Sequence, residues 1–164
     1  MTRGNVRQMV CEQTASDIES LSARLEEHYL KEAELYRSVL KLTELQHTNL
    51  GQSDDIRDFI TLLHRKEDLI RAIDKIELAV EEEKATWLEI SEDEKQACNK
   101  ALNAVLDSII ALIEQIMHVE RENEEFLRVK KDEVEQQLAT IRKSCRATKG
   151  FDTKPDPKVI STIS

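Results

Sequence analysis

Turn-forming residues are nearly missing from this chain. Its 164 residues include 3 glycines and 2 prolines, and both prolines, Pro155 and Pro157, lie near the C-terminus. So few turn sites predict a small number of long elements. Aromatic residues make up 4 %, so any core is a narrow seam between helices rather than a broad aromatic-filled layer. The three cysteines, Cys11, Cys98 and Cys145, are scattered, odd in number and without CxxC spacing. That fits a reduced, cytoplasmic setting better than a disulfide framework. No unbroken apolar run approaches the roughly 20 residues of a membrane span, so no membrane insertion is expected. "MTRGNVRQMV" has neither a secretory apolar core nor the glycine of a myristoylation site.

What the chain has instead is charge. Asp, Glu, Lys and Arg reach 35 %, with a net charge of −9. An acidic chain repels phosphate backbones, so no nucleic-acid partner is expected. Abundant Leu, Ile, Glu, Lys and Ala are typical of long helices and coiled coils. The expected fold is therefore all-α: a long antiparallel helical hairpin or three-helix bundle with coiled-coil packing and flexible ends.

Residues 1–15 show no clear period and read as a flexible arm or a helix extension. Ser16 with Glu19 forms a capping-box pattern, predicting a first helix over about 16–50. Its stripe is Ile18, Leu21, Leu25, Tyr29, Ala33, Tyr36 and Leu40, in steps of three and four. Gly51 is expected to close this helix in the left-handed conformation, and Ser53 to cap the next. The second helix, about 53–90, carries Ile56, Phe59, Ile60, Leu63, Ile70, Ile73, Val80 and Trp87. Ser91 with Glu94 is a second capping box, predicting a third helix over about 91–149 that stops at Gly150. Residues 151–164 have two prolines and no helical period, and are expected to be a disordered tail.

Catalytic and metal-binding patterns are lacking. His28, His47, His64 and His118 belong to no HExxH pair or Cys/His cluster, and there is no phosphate-cradling glycine loop or GxSxG elbow. No enzyme activity, metal or cofactor is expected. The acidic first turns at Asp17 and Glu19, at Asp54 and Asp55 and at Glu92–Glu94 complement helix dipoles. Arg142, Lys143, Arg146 and Lys149 do the same at the far end of the third helix, the alternative being a surface for an anionic partner.

The apolar stripes are interrupted at Lys66 and Glu67, at Glu120 and Asn123, and at Gln46 and His47. Three readings are open, taken in this order: an exposed stretch, a buried polar contact that sets helix register, or a groove left for another helix. The stretch "AVLDSIIALIEQIM" is apolar over more than one stripe and needs two neighbours. Further along, Phe126, Leu127, Val134, Leu138 and Ile141 form a thinner stripe. It is a candidate surface for a partner helix, with bundle core as the equal alternative.

Three segments together, "LYRSVLKLTELQHTNL", "IRDFITLLHRKEDLIRAIDKIE" and "VERENEEFLRVKKDEVEQQLATIRKSCRATKGF", resemble the FlgN family of flagellar export chaperones. Leu63, Lys66, Glu67, Leu69, Ile70 and Ile73 carry the likeness in the middle segment, and Gly150 and Phe151 in the last. It covers about residues 28–151. Where that family often has a tyrosine in the tail, this chain has Phe151, so a hydroxyl-dependent contact would be missing. The resemblance implies a cytoplasmic chaperone for the C-terminal amphipathic helices of the hook-associated proteins FlgK and FlgL, delivered to the type III export gate. Phe126, Leu127, Val134, Leu138 and Ile141 would then be client contacts. The segment from Gly150 and Phe151 onward would dock at the export gate. The alternative is a structural coiled-coil scaffold that closes its apolar face as a homodimer.

Overall fold

The computed structural model describes the backbone of residues 3–151 and the side chains of residues 14–150. Within it the chain is all-α: α1 (Arg3–Gln52), α2 (Arg57–Ala79), α3 (Glu81–Glu89), α4 (Glu92–Lys95) and α5 (Asn99–Phe151). The predicted class holds. Two compact units divide the chain, residues 1–123 and residues 124–164. α5 contributes to both, and each unit is described separately.

The first unit is a three-helix bundle. Ser22 of α1 donates to the Cys98 carbonyl just before α5, and Thr43 of α1 accepts from Asn123 of α5, so these two helices run in the same direction. Gln46 meets Lys66, while Arg24 meets Glu83, so the α2–α3 arm runs opposite to α1. Heptad positions account for the seams. On the returning arm, Phe59, Lys66, Ile73, Val80 and Trp87 recur every seventh residue, and Lys66, Ile73 and Val80 are buried. On α5 the matching series is Leu102, Ile109, Ile116 and Asn123. A seven-residue repeat keeps one side of each helix against its neighbours.

The apolar end of the bundle gathers Leu21, Leu25, Tyr29 and Ala33 of α1, Val80, and Leu102 and Ile109 of α5. Fully burying one such leucine contributes about 1.5–3 kcal/mol. On α1 the buried face passes from Ala33 to Val39, Thr43, Gln46 and Leu50, whereas Leu40 is half-buried. The buried face follows the spacing Leu25, Tyr29, Glu32, Val39, Thr43, Gln46 and Leu50, which an apolar-only pattern does not show because Glu32, Thr43 and Gln46 are polar.

Several helix ends differ from expectation. α1 begins at Arg3, so Ser16 lies inside the helix and caps nothing; residues 3–15 are a helix extension. Gly51 is helical, no described glycine has positive φ, and α1 continues to Gln52. Ser53 is not the cap of α2: that place falls to Ile56, without a side-chain bond, while Asp55 accepts from the Arg57 backbone. The second helix divides at Val80, yet the Val80 and Lys84 amides still bond back to Ile76 and Val80, so the arm bends without unravelling. Ser91 and Glu94 do make the capping box, but it starts only the one-turn α4. The long helix starts at Asn99. Nor does Gly150 stop it, since α5 continues to Phe151. The disordered tail expected after that point lies outside the described residues.

One 18-residue window inside α5 has a mean hydropathy of 1.4, enough by length and composition to cross a membrane. Reading for unbroken runs misses it, because isolated charges such as Asp107 and Glu114 interrupt a run without lowering the mean far. A core helix that passes the same test is mostly buried, whereas only 11 % of this window is buried, at Leu102 and Ile109.

Candidate functional site

The polar interruptions of the three helices meet in one layer of the first unit. Lys66, 5 % exposed, donates from its ammonium to Gln46 Oε1 at 2.7 Å and to the Glu120 carboxylate. Gln46 in turn donates to the Phe59 carbonyl at 3.3 Å. One turn along, Asn123 donates to the Thr43 carbonyl at 3.3 Å, and its Oδ1 lies 2.9 Å from His47 Nδ1. Thr43 itself donates back to Val39. Among the three readings of the interruption, exposure is therefore overturned for Gln46, Lys66 and Asn123, all buried and hydrogen-bonded, whereas His47 is exposed. Glu67 is not part of this layer. It is exposed and lies 3.4 Å from His64 on its own helix. Lys66 and Glu67 are adjacent in sequence, so a helix turns them about 100° apart and only one can face the seam.

Sequence reasoning missed a second polar cluster, where α1 meets the α2–α3 arm. Glu32 is buried, and its Oε2 has no hydrogen-bond partner. Burial first, then repulsion from and hydrogen bonding with the neighbouring Glu77, push its carboxyl up from the ordinary 4.5 to about 7, against the lowering effect of the Lys84 charge. Lys84 pairs with Glu77 and places its ammonium 5.9 Å from the Tyr29 ring centre. That hydrogen bond to Glu77 also holds the Lys84 ammonium above its usual range. A glutamate beside Ala33 on the buried face was the available signal, but surface glutamates are too common in this chain to single it out.

The second unit carries the proposed client stripe. Val134, Leu138 and Ile141 are exposed, while Phe126 and Leu127 are half-buried. At 100° per residue, Leu127, Val134, Leu138 and Ile141 fall within an arc of about 60°, and Phe126 lies about 90° to one side. Lys130 holds its ammonium 5.5 Å from the Phe126 ring centre. Cys145, exposed, extends the stripe by one turn, although the sequence reading did not include it. Val129, also exposed, lies on the opposite side. Gly150 and Phe151 are the last two residues of α5, and the Phe151 side chain lies outside those described. Ion pairs on this segment, Arg128–Glu125 and Lys131–Glu135, stay on the one helix.

Among the described residues no group of three or more His, Cys, Asp or Glu side chains is placed to hold a metal ion. No protein-family model, curated protein or solved structure matches the chain.

Proposed function

We propose that this chain is a non-enzymatic, cytoplasmic export chaperone that holds amphipathic helices of its clients. FlgK and FlgL are the clients, and the flagellar type III export gate is the destination. The observation that carries this reading is the stripe of half-buried Leu127 and exposed Val134, Leu138 and Ile141 along one side of α5. Exposed apolar groups at helical spacing suit a second amphipathic helix, whose anchors recur at i, i+3, i+4 and i+7. The likeness of three segments to the FlgN family supplies the client class. Gly150 and Phe151 close α5 where that reading puts the gate-docking segment.

Calorimetry and circular dichroism with peptides from the C-termini of FlgK and FlgL test the proposal. The expected result is saturable binding with a gain in helicity that Leu138→Ala weakens. Folded protein that binds neither peptide would sink it. The same exposed stripe also suits a self-associating scaffold. That reading predicts a homodimer by sedimentation, dissociating on dilution, and no affinity for either peptide.

A further inference from the structure

Away from the polar layer and the α5 stripe, the first unit contains a cavity of about 300 Å³ between α1, α3, α4 and the start of α5. Leu25, Leu102 and Leu106 form its apolar floor, and Tyr29, Trp87 and Leu88 its walls. The volume lies at the lower end of small-molecule sites, about 300–1,000 Å³.

Lys95 lines this cavity and is 5 % exposed. Its ammonium has three N–H donors. Glu92 accepts one at 3.1 Å, and the Trp87 ring centre lies 5.4 Å away. Glu92 is 84 % exposed at its side chain, so water competes strongly for its carboxylate. A buried cation held by one solvated counter-ion and a ring face is incompletely neutralised. Lys84, the other cation on the lining, is committed to Glu77.

We propose that this cavity binds a small amphipathic carboxylate, an alkyl or aryl chain ending in one anionic group. The chain lies on the leucine floor against Trp87, and the carboxylate takes the open donors of Lys95, displacing Glu92 into solvent. A neutral apolar ligand would leave those donors unmatched. A bare inorganic anion would gain nothing from the leucine floor. One available ammonium matches one negative charge. This site is separate from the α5 stripe and does not depend on the chaperone reading.

Trp87 is the chain's only tryptophan, so its fluorescence reports on the cavity wall directly. Decanoate is titrated below its micelle concentration, with decanol as the uncharged control. The expected result is a saturable change in Trp87 emission with decanoate, and binding of decanol about tenfold weaker, the loss of one charge-assisted hydrogen bond. Lys95→Met lowers decanoate affinity by a similar factor. Glu92→Gln, which removes the competing carboxylate, tightens binding about two- to fivefold. Leu88 is 77 % exposed, so Leu88→Glu leaves the bundle folded while placing a like charge at the cavity wall. Its expected effect is loss of decanoate binding, which keeps the test decisive if Lys95→Met fails to fold. Equal affinity for decanoate and decanol, or unchanged decanoate affinity in Leu88→Glu, would overturn the proposal.

Discussion

The Lys66 ammonium of α2 is bonded at once to Gln46 of α1 and Glu120 of α5, so one side chain ties all three helices of the bundle at the same level. A slip of any helix by one residue would separate these groups, whereas leucine against leucine tolerates a slip more readily. The pair contributes to choosing one alignment more than to total stability, because desolvating the ammonium offsets much of its attraction to the carboxylate.

Breaking this pair from one side is expected to be costly. Glu120→Ala leaves the Lys66 ammonium buried with Gln46 alone, at a cost of about 1–3 kcal/mol. Lys66→Met combined with Glu120→Met should recover most of that loss, since neither charge is then stranded. Urea denaturation of the two variants checks it. A double variant as unstable as Glu120→Ala would show that the pair itself stabilises the bundle.

The Glu32 carboxyl gives a pH dependence of definite sign. Its folded value, about 7, is above the ordinary 4.5, so the folded chain holds a proton that the unfolded chain releases. Stability from this group is fully present below about pH 4.5 and declines as pH rises through about 7, by about 1–3 kcal/mol in total. Glu32→Gln should flatten this part of the profile and make the protein more stable than wild type at pH 8. Thermal unfolding between pH 5 and pH 8 measures both, and an unchanged slope in the variant would assign the effect elsewhere.

Core and exposed apolar positions should separate cleanly. Ile109, buried between α5 and its neighbours, should cost about 2–5 kcal/mol as Ile109→Ala. Leu138, 46 % exposed, should change stability by less than about 1 kcal/mol as Leu138→Ala. A large loss for Leu138→Ala, measured by denaturation, would make that end of α5 core rather than contact surface.

Gly51 offers a stabilising change. It is helical, and an added Cβ would meet nothing within 4 Å. Gly51→Ala should therefore raise stability by about 0.4–1 kcal/mol by restricting the unfolded chain. A lowered melting temperature would contradict this and point to a need for glycine at the α1–α2 turn.

Local signals are legible in the sequence where one turn of chain decides them. Ser91 and Glu94 form the predicted capping box because the four residues involved contain both donors and both acceptors. The same pattern at Ser16 fails because nothing there interrupts the helix: α1 has already started at Arg3. Gly51 and Gly150 permit a stop without enforcing one. On the α5 stripe, spacing alone selected Leu127, Val134, Leu138 and Ile141. Phe126 is apolar but lies about 90° from that stripe.

Composition and spacing are enough to make this protein helical and seamed. Scarce glycine and proline leave few turns, and heptad spacing sets which side of each helix is apolar. What the polar breaks are follows from packing between helices. Whether Lys66 faces water or Glu120 depends on how far α1 and α5 reach along α2, and no residue within α2 encodes that. The Glu32 carboxyl and the cavity at Lys95 are of the same kind. Each is made by side chains from separate helices, and its energetics follow from burial that appears only when those helices pack.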